Sequence, residues 1–138
     1  MRFASAPRGL VDAARLGSLL GEARWLARAD ADGTLRCSFA ARGTTFGAKV
    51  TLGPERLEIV VAPYVGKPAP ERAPALHERL LALNAQTRMA RFCIEDDGAV
   101  VLCVDWPVRD LDDSEVRDAL DAASYYAQRH WAELAELA

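Results

Sequence analysis

Histidine is scarce in this 138-residue chain. His77 and His130 stand far apart, and neither has a second ligand at helical or finger spacing, so the sequence offers no recognisable metal site. The three cysteines, Cys37, Cys93 and Cys103, are an odd number without a CxxC pair. They read as reduced thiols, which places the chain in the cytoplasm. Lysine is nearly absent, with 2 against 15 arginines, and the arginines are scattered, as Arg24, Arg28, Arg36, Arg42 and Arg56 illustrate. With a net charge of −3 and no basic run, the chain has no general attraction for phosphate backbones or anionic lipid, which disfavours nucleic acid as a partner. Met1 to Pro7 lacks the apolar stretch of a signal peptide, and no window approaches a membrane span. GxSxG, HExxH, P-loop and GxGxxG patterns are all missing. These absences favour a protein that is not an enzyme and carries neither cofactor nor metal.

What is present is ordinary for a globular protein: 51% of residues are apolar and 27% charged. That suffices for a substantial core without staples, so residues 1–138 are expected to form a single domain.

Val11 to Glu22 reads as a first helix, with Val11, Leu16, Leu19, Leu20 and Ala23 recurring at spacings of three and four. Gly17 and Gly21 weaken it, by about 1 kcal/mol each relative to alanine, so tertiary packing must hold it. From Trp25 to Pro63 the period becomes two. Leu35, Cys37, Phe39 and Ala41 alternate with polar or small residues, as do Phe46, Ala48, Val50 and Leu52, and Leu57, Ile59, Val61 and Pro63 then alternate with Arg56, Glu58, Val60 and Ala62. Turn chemistry separates the runs at Asp30 to Gly33, Arg42 to Thr44 and Gly53 to Glu55, the pattern of an antiparallel meander. A further strand is expected at Trp25 to Ala29. Val65 to Pro70 is a connector, and Pro74 fits the first turn of a second helix running to about Ala85, with Leu76, Leu80 and Leu83 on one face and Leu81 beside it.

The C-terminal hairpin can be registered from its turn. Asp96-Asp97-Gly98 suits a three-residue loop closed by glycine in the left-handed conformation, which sets Glu95 opposite Ala99, Ile94 opposite Val100 and Phe92 opposite Leu102. Phe92, Ile94, Val100, Leu102, Val104 and Trp106 then share a core face. Met89, Arg91, Cys93, Val101 and Cys103 share the reverse face, which is apolar enough to expect a cover, either a helix of the same chain or another subunit. Past Pro107, Asp112 to Glu115 supplies an N-cap with an acid three residues on. It starts a helix about 35–40 Å long, with Val116, Leu120, Ala123, Ala127 and Leu134 on its buried stripe. Tyr125 falls opposite that stripe, Tyr126 and Trp131 fall on its flanks, and His130 lies near its edge.

Cys93 and Cys103 lie mid-strand, where thiols are usually inert, and the acids around Asp112 suit a helix start. Surfaces remain. Leu76, Leu80, Leu81, Cys93, Val101 and Cys103 are the candidate self-association surface. Val60, Ala62 and Tyr64, read as outward-facing, are with Tyr125 the candidate partner-binding residues.

The order Leu80-Leu81-Ala82-Leu83-Asn84, then Ala90-Arg91-Phe92-Cys93-Ile94-Glu95-Asp96-Asp97-Gly98, then Val100-Val101-Leu102, resembles the YbjN family, bacterial proteins with the fold of type III secretion chaperones. The resemblance spans roughly Val11 to Leu137. It implies an α+β domain with three helices and about five antiparallel strands, a meander plus the C-terminal hairpin, in the order α-β-β-β-(β)-α-β-β-α. It also implies a homodimer without enzymatic activity and structural roles for Asn84, Phe92 and Gly98. The function expected is a chaperone-like or regulatory module that binds another protein through apolar patches. The competing expectation is a regulator that senses a small molecule in a pocket between sheet and helix.

Overall fold

Asp12 starts the first helix: its side chain accepts the N–H of Arg15 at 2.8 Å, satisfying one of the donors that a helix N-terminus leaves free. The computed structural model describes residues 10–30 and 32–138, and in it α1 spans Ala13–Glu22. Six strands and two more helices follow: β1 Leu26–Ala29, β2 Leu35–Ala41, β3 Thr44–Leu52, β4 Arg56–Val65, α2 Ala73–Asn84, β5 Ala90–Ile94, β6 Val100–Pro107 and α3 Asp113–Leu137. The strands form one antiparallel sheet in the order β1-β2-β3-β4-β6-β5. The extra strand expected before Asp30 is present as β1, so the sheet has six strands where about five were expected.

The hairpin takes the register its turn dictates. Ile94 lies opposite Val100 and Phe92 opposite Leu102, the Glu95 N–H donates to the Ala99 carbonyl at 2.8 Å, and Gly98 has φ +93°. Two residues depart from the expected faces. Ile94 is 46% exposed, because it ends β5 beyond the reach of the helices. Met89 adopts φ +66° just before β5, which turns its side chain toward the core rather than the reverse face.

All three helices contribute to one hydrophobic core on a single face of the sheet. α3 packs against that face, over β2, β4, β5 and β6. Its start is a full capping box, with Asp112 accepting from the Glu115 N–H and Glu115 returning to the Asp112 N–H. Ala119, Ala123 and Ala127 let it approach the strands closely, while Val116, Leu120 and Leu134 fill the space to either side. An aromatic column runs over the sheet beneath it: Trp25, Phe39, Phe46, Tyr64 and Phe92 follow one another with ring centroids 4.3 to 5.9 Å apart. His130 of α3 stands edge-on to Phe92 and stacks on Tyr126.

Candidate partner-binding surface

The face of the sheet away from the helices carries Leu26 and Arg28 on β1, Arg36 and Ser38 on β2, Gly47 and Lys49 on β3, Glu58, Val60 and Ala62 on β4, Val101, Cys103 and Asp105 on β6, and Arg91 and Cys93 on β5. No helix among the described residues lies over it. Of the two covers expected, a helix of the same chain or another subunit, the described residues supply no helix, and among them this side of the sheet is open. A groove of about 670 Å³ runs along it, floored by Gly47, Ala62 and Val101 and walled by Lys49, Glu58 and Glu95. At Gly47 a side chain would meet the Ala62 carbonyl oxygen at 3.1 Å, so glycine keeps the floor low where two strands' backbones draw together.

The structure divides the expected self-association residues. Leu76 and Leu80 are buried against the core, because the apolar stripe of α2 packs on β5; they form no surface, and that assignment is corrected. Leu81, one residue round the helix, is 73% exposed. Val101 and Cys103 do lie on the open face but are buried even without a cover. They sit on the inner strand β6, screened by Arg91 and Cys93 of β5 on one side and Val60 of β4 on the other. Asp105 reinforces the screen by accepting from Arg91 at 2.6 Å and Arg56 at 2.9 Å, contacts that hold its carboxyl below the usual carboxylate range. Burial pushes the Cys103 thiol up to about 12 and that of Cys37 up to about 11, which suppresses the thiolate a nucleophile needs.

Among the expected partner-binding residues, Val60 and Ala62 are half-buried on the open face. Tyr64 is not there. The β4–β6 register shifts between Val61 and Val65, which reverses the alternation and turns Tyr64 into the core, where its hydroxyl donates to the Ala127 carbonyl at 2.8 Å. Tyr125 is exposed as its helical position requires, edge-on to Tyr126 and with the Arg129 guanidinium 5.9 Å from its ring centroid. It borders a shallow groove of about 410 Å³ with Met89, Asp118 and Asp121, on the opposite side of the molecule from the open sheet face.

The two edges of the sheet differ. On β5 the Asn84 carboxamide bonds both backbone groups of Phe92, and the Thr87 hydroxyl donates to the Ala90 carbonyl at 2.7 Å. These contacts close that edge to further strands. Among the described residues β1 has no such protection, and all four of its residues are exposed.

One feature of the open face was invisible in the sequence. Arg28 lies directly opposite Arg36, and Arg36 directly opposite Lys49, so three cations from separate strands form a row. Alternation alone could assign each to the polar face, but only the strand register brings them together. Among the described residues no three histidine, cysteine or acidic side chains are grouped to hold a metal ion, and no helix is long and apolar enough to cross a membrane.

A one-sided α+β sandwich with a capping C-terminal helix defines the class: the type III secretion chaperone-like fold. Within that class the chain belongs to the YbjN family, described as "putative bacterial sensory transduction regulator", whose profile matches residues 12–136. Its structure resembles the crystal structure of YbjN from E. coli with a TM-score of 0.62 and 17% identity, covering 90% of this chain and 94% of that one. It also resembles the type III secretion chaperone SycH of Yersinia pestis, solved in complex with a stable fragment of YscM2. There the TM-score is 0.53 and the identity 10%, covering 82% of this chain and 93% of that one. No curated protein matches the chain.

Proposed function

We propose that this chain is a non-enzymatic, cytoplasmic protein-binding module, chaperone-like or regulatory, built as a single domain. The observation that carries this reading is the placement of every helix on one face of the sheet. It leaves the other face with a groove of small and apolar floor residues and a charged rim. Such a face suits a protein segment, which supplies both side chains for the floor and polar groups for the rim. The binding of a YscM2 fragment by SycH, a relative in fold, is consistent with it. The ligand-pocket alternative finds no support between sheet and α3. Val50, Ile59, Leu102, Ala123 and Ala127 fill that space, and each is fully buried.

Self-association belongs to the same proposal. With Leu76 and Leu80 withdrawn into the core, exposed Leu81 on α2 is the residue through which a second copy would pack.

The test is affinity capture from the native organism followed by mass spectrometry, comparing the wild type with Val60→Glu on the open face and Tyr125→Ala on α3. A partner held by the wild type and Tyr125→Ala but lost by Val60→Glu supports the open face. A partner lost only with Tyr125→Ala moves the site to α3, and the absence of any specifically retained protein overturns the reading.

A further inference from the structure

Like charges set directly opposite one another on neighbouring strands destabilise a sheet. The row Arg28–Arg36–Lys49 contains two such pairs in succession, with facing residues about 4.5–5.5 Å apart at their Cα atoms. Of the three, Arg36 is neutralised among the described residues, by Asp30 at 2.8 Å. Among the described residues Arg28 and Lys49 form no ion pair. The row starts at β1, the edge that no described residue protects.

Among the described residues the backbone beside it also lacks partners. The Asp30 N–H donates to the Thr34 carbonyl at 2.7 Å, which fixes the phase of hydrogen bonding between β1 and β2. Alternation then bonds Arg28 to Arg36 and Leu26 to Ser38, and directs the N–H and C=O groups of Ala27 and Ala29 away from the sheet. On the open face Leu26 stands two residues from Arg28 and is 75% exposed, beside a small groove it shares with Arg36 and Ser38.

We infer that β1 receives an extended acidic segment of a partner protein. The segment lies along the β1 edge, takes the outward backbone groups of Ala27 and Ala29, and places a carboxylate beside Arg28 and an apolar side chain beside Leu26. The inference rests on the protein-binding reading above and names the chemistry of the partner. A peptide fits better than a phosphate backbone for two reasons. Nucleic acid has no group that completes a strand ladder. Asp30, Asp32 and Glu58, all close to the row, would repel a continuous polyanion while tolerating a single carboxylate on its far side.

The probe is a short labelled peptide carrying glutamate and leucine two residues apart, with its glutamine counterpart and a DNA duplex as comparisons. Binding is measured by fluorescence anisotropy. The glutamate peptide is expected to bind, and to weaken as salt is raised. The glutamine peptide, and the glutamate peptide offered to an Arg28→Gln/Lys49→Gln variant, are expected to bind on the order of tenfold more weakly, the loss of one charge-assisted contact. The Ala27 and Ala29 amides should gain protection from hydrogen exchange when the peptide is bound. Because both substitutions remove a cation facing Arg36, the double variant should melt no lower than the wild type, so weakened binding will not reflect unfolding. Failure of the glutamate peptide to bind, equal binding by the glutamine peptide or the double variant, or tighter binding of the duplex overturns the inference. A natural partner captured equally by the wild type and the double variant would also overturn it while leaving the protein-binding reading intact.

Discussion

The Asn84 carboxamide serves Phe92 as a neighbouring strand would: Oδ1 accepts the Phe92 N–H at 2.7 Å while Nδ2 donates to the Phe92 carbonyl at 3.1 Å. A side chain at the end of α2 thus completes the hydrogen bonding of β5. Asn84→Ala leaves both groups without their partner at a half-buried site, which should cost about 1–3 kcal/mol in urea unfolding. It also uncovers an edge strand, so light scattering should detect more self-association in the variant. A variant as stable and as dispersed as the wild type would show the clamp to be incidental.

Burial lowers the His130 pKa from its ordinary 6.5, aided by the nearby Arg129 and Arg79 and opposed by Glu133. The folded state therefore favours the neutral ring more than the unfolded chain does. This contribution is complete above pH 6.5 and is lost as the pH falls below it. Denaturant melts between about pH 7 and pH 5 should show decreasing stability, and the decrease should shrink in His130→Phe. An unchanged slope in the variant would exclude His130 as the cause.

Val101→Glu and Leu81→Glu separate fold from association. Val101 is buried within an inner strand, so a glutamate there should destabilise the fold by several kcal/mol, about what an unpaired buried charge costs. Leu81→Glu should fold normally, and light scattering should show a loss of dimer if the wild type dimerises through α2. Loss of stability in Leu81→Glu with the dimer unchanged would remove α2 from the interface.

How much could be read beforehand depended on how local the determining contacts were. The β5–β6 register followed from Asp96-Asp97-Gly98, since a turn of fixed length leaves one pairing that puts apolar residues together. The α3 start followed from Asp112 and Glu115, three residues apart. Alternation alone turns Tyr64 outward, but a register shift within β4 reverses inside and outside there; its one mark in the sequence is Pro63, a residue that an inner strand accommodates only at its start or at a bulge. Leu76 and Leu80 were misassigned because an amphipathic helix announces its apolar stripe but not whether that stripe meets its own sheet or a second subunit. The Arg28–Arg36–Lys49 row lay furthest from view, since it exists only once three strands are aligned.

The native thiols offer a further check. With the Cys103 pKa near 12, alkylation of Cys103 at neutral pH should be slow in the folded protein and rapid after denaturation. Fast labelling of the native state would mean that the screen formed by Arg91, Cys93 and Val60 opens readily.

The aromatic column has an optical consequence. Trp25 immediately precedes β1, is buried, and is stacked on Phe39 at 4.3 Å, so its indole is anchored to the sheet within one residue of the free edge. Tryptophan emission follows the polarity and rigidity around the ring. With Trp106 and Trp131 replaced by phenylalanine, the remaining signal would report occupancy of β1 without any attached dye. The protein carries an intrinsic fluorophore where a docking strand would make itself felt.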